Sequence, residues 1–218
     1  MSRDYDADRL EQSMETTSNR NRGNAGISLL EVAIVVVIGL IVTTTGLPRM
    51  NIAIANMKLR SSMTTVSGLL QNCRMLAVQQ NKTLRAAVRS QTVPANSMKA
   101  IVTLPGDSTD APISASAQVE MEAPVTSYAS PTGPNAPTAL TNSQLGVSIA
   151  PVTTDPSFNS RGIPCSWDTS TLQCDTNKSF IKYFKDNRVT SNGGWAAISI
   201  TPAGRIKRWF WNGSSWTD

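Results

Sequence analysis

The chain has 218 residues, 20 Lys and Arg against 15 Asp and Glu, and no histidine. That length suits one globular domain with extensions. The missing histidine removes the commonest general base and the commonest metal ligand, and no Gly-rich phosphate loop, CxxC pair or nucleophile–base spacing replaces it, so neither an enzyme nor a cofactor is expected.

Residues 1–26 are polar, with Arg3, Arg9, Arg20 and Arg22 set against five acids. The remainder carries 16 basic and 10 acidic residues, so losing this leader raises the net charge from +5 to +6. Such a surface can meet anionic lipid or nucleic acid, but charge of this size does not choose between them.

From Ile27 to Leu47 run 21 residues in which Glu31 is the only charge. As a helix this stretch is roughly 30 Å long, about one hydrocarbon core. A soluble core helix of that length is rarely apolar on all sides, so membrane insertion is expected. One reading is a secretory signal, with Arg20 and Arg22 as its basic region and "VTTTGLPRM" as a fair cleavage site. Glu31 argues against it, because an intramembrane acid costs on the order of 2–3 kcal/mol near the centre and a disposable signal has no use for one. The other reading gives the acid a partner. A cut between Gly26 and Ile27 creates an ammonium one helical turn from Glu31, on the same chain or a neighbour, and pairing neutralises both groups where each alone is expensive.

Beyond Pro48, Leu59, Met63, Val66, Leu70, Cys73 and Ala77 follow one helical face, while Arg60, Ser61, Ser62, Thr64, Asn72 and Arg74 fall largely elsewhere. One long helix from Ile27 to about Asn81 is expected, kinked or locally opened at Pro48, which lacks an N–H. Its 48–81 half is amphipathic and packs on a domain, with Cys73 as a small apolar filler.

Strands are expected at "LRAAV" and "KAIVTL". Residues 105–156 then hold eight of the twelve prolines, with many Ser, Thr and Ala. This segment is expected to be a long exposed insertion with one or two short strands, at "AQVEME" and "LGVSIA". In "GIPCSWDTSTLQCD", Cys165 and Cys174 lie nine apart. In an oxidising compartment they would close a short loop; in a reducing one they are two surface thiols.

"FIKYF", "GWAAISI" and "GRIKRWFW" read as strands, the last two forming a hairpin across Thr201–Gly204. Residues 178–208 carry seven basic side chains and one acid, Asp186, interleaved with aromatics. If Arg205, Lys207 and Trp209 share one strand face, they can grip phosphates and stack a base, with Arg208 adding charge. A solvated basic hairpin fits the same composition.

"GISLLEVAIVVVIGLIVTTTGLP" resembles the class III signal of type IV pilins and type II secretion pseudopilins: a leader ending in Gly, then an apolar helix with Glu as its fifth residue. Ile27 stands where the family usually has Phe, and Ser28 where it commonly has Thr. "SGLLQNCRMLAVQQNKTLRAAV", "FNSRG" and "GGWAAISITPAGRIKRW" are similar to segments of the GspH/FimT minor pilins and pseudopilins. The likeness touches both ends of the mature chain and misses the Pro-rich middle.

That resemblance implies an α+β, pilin-like fold in four parts: a leader 1–26, a membrane or filament-core helix 27–47, its amphipathic half 48–81, and a β-rich domain 82–218. It implies cutting by prepilin peptidase at Gly26/Ile27, N-methylation of Ile27, and assembly roles for Glu31 and Pro48. The partners implied are the inner membrane and other pilin or pseudopilin subunits, with the C-terminal domain outward, in the periplasm and then in a pilus or pseudopilus. Arg20 and Arg22 on the cytoplasmic side agree with that orientation. The outward domain is where a Cys165–Cys174 bond would form. The alternative is a FimT-like minor pilin that binds DNA during uptake through Gly204, Arg205, Ile206 and Lys207, where Lys207 replaces the family's second Arg and loses its bidentate fork. A membrane-anchored enzyme is the least supported class, and the Cys165–Cys174 spacing is too wide for a redox pair.

Overall fold

A computed structural model describes residues 28–91, 97–122, 124–189 and 193–218, with the backbone alone at 45–48. The leader and the expected Gly26/Ile27 cleavage site lie outside the described residues. The architecture is α+β: one 51-residue helix, α1 (Leu29–Gln79), followed by antiparallel sheets. By compactness the chain divides into residues up to Gly46 and a domain, Leu47–Asp218. The helical assignment continues through Pro48, where the sequence predicts a kink or an opening. A proline removes one backbone donor, and the remaining turns sustain the helix on either side.

The domain's strands are β1 (Leu84–Gln91), β2 (Ser97–Thr103), β3 (Gln118–Glu120) and β4 (Val125–Tyr128). A short helix α2 (Asn142–Leu145) follows, then β5 (Ser157–Phe158), β6 (Pro164–Asp168) and β7 (Gln173–Asp175). The chain closes with β8 (Phe180–Asp186), β9 (Trp195–Ile200), β10 (Ile206–Trp211) and β11 (Trp216–Thr217). They form two sheets, ordered β3-β2-β1-β5-β6-β7 and β11-β10-β9-β8-β4.

The buried face of α1 carries Leu59, Met63, Val66, Leu70, Cys73 and Ala77, as its spacing predicts, and adds Leu69. It packs on Ala86, Val102 and Phe158 of the first sheet and on Phe180, Phe184, Ile198 and Ile200 of the second. Full burial of each large aliphatic side chain contributes about 1.5–3 kcal/mol, so this face holds the helix to the domain. Ser62, which the pattern places on the polar side, is buried, and its hydroxyl accepts the Glu122 N–H at 3.1 Å.

The Pro-rich segment is not simply an exposed insertion. Leu140 and Leu145 pack with Ile181, Tyr183, Trp195, Ala197, Trp209 and Trp216 in a second core on the outer face of the second sheet. The segment gives strands at 118–120, within "AQVEME", and at 125–128, which the sequence reading missed. At "LGVSIA" there is no strand: Leu145 ends α2, and the chain then runs irregularly. A capping box decides this locally. The Thr141 side chain accepts from the Gln144 N–H, the Gln144 side chain accepts from the Thr141 N–H, and Gly146 closes the helix at φ 67°.

Candidate functional site

Two regions carry the expected functional residues: the start of α1 and the C-terminal hairpin.

Glu31 stands in the first turn of α1, where the partial positive charge of unpaired backbone N–H groups favours a carboxylate. It is exposed, and it shares the helix with Leu29 at 87 % exposure and an uncovered run of Val, Ile and Leu to Val42. Among the described residues α1 is the one helix long and apolar enough to cross a membrane. Thr43 and Thr44, just after this run, satisfy their hydroxyls within the helix. Thr43 Oγ1 donates to the Gly39 carbonyl at 2.8 Å, and Thr44 Oγ1 to that of Ile41 at 3.0 Å. Such back-bonding lets hydroxyls sit in an apolar medium without an orphan donor. "VTTTG", read only as a possible cleavage site, carried this signal.

The hairpin forms as expected. Gly204 N–H donates to the Thr201 carbonyl at 2.8 Å and Thr201 N–H to that of Arg205 at 3.0 Å, while Lys207 pairs with Ser199 and Trp209 with Ala197 in register. The expected nucleic-acid face does not survive in this form. Lys207 and Trp209 do share a face, but the second core covers it. Trp209 is 6 % exposed and its Nε1 donates to Ser199 Oγ at 2.8 Å, so no ring face is open to a base. Lys207 Nζ lies 5.0 Å from the Trp209 ring centre and 3.1 Å from Asp218 Oδ2. That bond and the ammonium's charge hold the Asp218 carboxyl below its ordinary range. Arg205 precedes the strand and is exposed, and Arg208 points to the opposite face, donating to Thr64 Oγ1 of α1 at 2.9 Å.

Three segments singled out in the sequence converge on one side chain. Arg74, in the "QNCRM" stretch of α1, donates from Nη1 to the Gly204 carbonyl at 3.4 Å. A Cβ at Gly204 would stand 3.2 Å from the same guanidinium, and one at Gly162, in "FNSRG", 3.1 Å from Arg74 Nε. Both glycines have positive φ, +82° and +72°. Close approach and left-handed backbone together require glycine at these two turns.

Cys165 and Cys174 are bonded, with Cα atoms 5.4 Å apart, and they tie the β6–β7 hairpin. Cys73 is fully buried against α1's apolar neighbours, and burial pushes its thiol up to about 12. The apolar cavity where α1 meets the sheets holds about 30 Å³, room for about one water and for no substrate.

No protein-family model matches the chain, and no curated protein matches it in sequence. Among solved structures it is similar to the type IV minor pilin FimU of Pseudomonas aeruginosa, at 12 % identity and a TM-score of 0.40, covering 75 % of this chain and 95 % of that one. An overlap of this extent leaves the functional argument to the chain's own residues.

Proposed function

We propose that the chain is a minor pilin or pseudopilin: a membrane-anchored subunit that assembles into a type IV pilus or a type II secretion pseudopilus. One observation carries the reading. A single helix presents a fully uncovered apolar run with a carboxylate in its first turn, and the same helix supplies the main face of a folded domain's core. In the bilayer, lipid covers the run. In a filament, neighbouring helices cover it, so extraction keeps the hydrophobic stabilisation.

Glu31 needs a cation in either medium, and an N-terminal amine on this or an adjoining subunit supplies it once the leader is cut after Gly26. The Cys165–Cys174 bond supports a domain on the oxidising side of the inner membrane, with the leader's arginines left in the cytoplasm. Prepilin peptidase is then the processing partner, and no cofactor is needed.

The test is the intact mass of the membrane-extracted chain made with and without prepilin peptidase. A product beginning at Ile27 and about one methyl group heavier supports the reading, and Glu31→Val should then be processed but excluded from sheared filaments. A product beginning near Pro48 identifies an ordinary secretory signal, and the assembly reading falls with it.

A further inference from the structure

The domain half of α1 has a second face. Met57, Arg60, Thr64, Gly68, Gln71 and Met75 recur at steps of three and four along about 27 Å of helix, and all are exposed. Met57 and Met75 are 71 % and 56 % exposed. Gly68 lies at the centre. A glycine inside a helix weakens it relative to alanine, and among the described residues nothing beyond its own turn of helix comes within 4 Å of where its Cβ would stand. No contact among the described residues therefore accounts for it. A missing Cβ on an exposed helix face does let another backbone approach closely, as it does where helices cross.

The charges on this face are positioned without being neutralised. The Arg60 guanidinium lies 4.6 Å from the Phe210 ring centre, Arg208 donates to Thr64, and Arg74 donates to the Gly204 carbonyl. Each is held by an uncharged group, and among the described residues none of the three forms an ion pair. Exposed methionine beside arginine is the composition of a protein interface. A nucleic acid would find no stacking platform, since Arg60 covers Phe210 and Trp209 is buried. A second copy meeting it face to face would set arginine against arginine, because this stretch of α1 carries no acid.

We propose that this face docks an α-helix of a different pilin-type subunit, crossing at Gly68 and presenting carboxylates to Arg60, Arg74 and Arg208. The proposal rests on the assembly reading above and names the partner's chemistry.

The experiment places a benzophenone side chain at position 71 of the full chain, co-expressed with the other pilin-type subunits of its own cell. Adducts are mapped after illumination. A covalent adduct within a helix of one such subunit is expected. Gly68→Ala and Gly68→Leu should raise or preserve the thermal midpoint of the detergent-solubilised chain while lowering adduct yield about tenfold, equivalent to about 1.4 kcal/mol of docking. Arg60→Glu should lower it similarly and be rescued by Glu→Lys at the mapped acid of the partner. Equal yield from Gly68→Leu, no adduct, or adducts confined to lipid, nucleic acid or a second copy overturns the proposal. The two readings fail separately. A wild-type chain that is neither trimmed to Ile27 nor present in sheared filaments defeats the assembly reading, whereas normal trimming and incorporation with an unaffected Gly68→Leu defeats the docking face alone.

Discussion

The Tyr183 hydroxyl accepts the backbone N–H of Leu140 at 2.9 Å, in a bond buried within the second core. Through it a strand of the second sheet fixes a segment 43 residues earlier that has little regular structure of its own. Burial raises the phenol above its ordinary pKa, against the opposing effect of the Leu140 bond. Tyr183→Phe leaves a buried donor unpaired and should cost about 1–3 kcal/mol. Urea unfolding of the mutant and wild-type chains measures it, and an unchanged midpoint would mean that the insertion is held by apolar packing alone.

Asp155 joins the two sheets. Its carboxylate meets Arg89 of β1 at 2.5 Å and Lys182 of β8 at 3.1 Å, with 12 % of the side chain exposed. Asp155→Ala leaves Lys182 without its carboxylate, while Arg89 keeps Asp110 at 2.6 Å, and should destabilise the domain by about 1–3 kcal/mol, between the costs of breaking exposed and buried pairs. In a Lys182→Met background the same change should cost less, a coupling that a double-mutant cycle reads directly.

Asp168 orders the tip of the disulfide-tied hairpin. Bonds from the Ser170 hydroxyl and N–H, then from the Thr171 hydroxyl, lower its pKa from 3.8 to about 2. Because the folded value is depressed, the stabilisation is present above about pH 4 and is lost as pH falls through 2. An NMR titration of the Asp168 carboxyl should give a midpoint near 2, and Asp168→Asn should remove the associated shift of the Ser170 amide. A midpoint at the ordinary aspartate value would show that the tip is not ordered by this side chain.

Thiol accessibility should rise in steps. Cys165 and Cys174 are bonded, and Cys73 is buried with its thiol pushed up to about 12. Maleimide should label no cysteine in the native oxidised chain, Cys73 alone on unfolding without reductant, and all three after unfolding and reduction. Rapid native labelling of Cys73 would mean that α1 lifts from the sheets.

The long helix and most strands were legible because their periodicity is local. The Leu59-to-Ala77 stripe names its own buried face, and the aliphatic runs at 84–88, 99–104 and 195–200 name themselves as strands. The second core was not legible. Alternation shows that Lys207 and Trp209 share a face, but the Leu140 and Leu145 side chains that cover this face lie more than 60 residues earlier, in a segment whose composition reads as linker. The "LGVSIA" expectation failed for a smaller reason. Three branched residues suggested a strand, and the capping pair Thr141 and Gln144 just before them had already committed Leu145 to a helical turn. Of the candidate site, Glu31 and its apolar run were readable directly, while the exposed helix face centred on Gly68 became visible only once the opposite face was seen to be filled.

All six residues of β9 are buried. Ala196, Ile198 and Ile200 look toward α1, while Trp195 and Ala197 look toward the insertion. With β8 and β10, whose side chains alternate between the same two cores, this strand forms the partition between two interiors, and its adjacent alanines Ala196 and Ala197 face opposite sides of it. Close packing makes such a partition stiff, so a side chain enlarged on either side has nowhere to go except through the backbone into the other. The Pro-rich segment is therefore free to vary at its surface but not beneath it: replacing Ala197 with a bulkier residue to suit a new insertion would shift the sheet on which α1 lies.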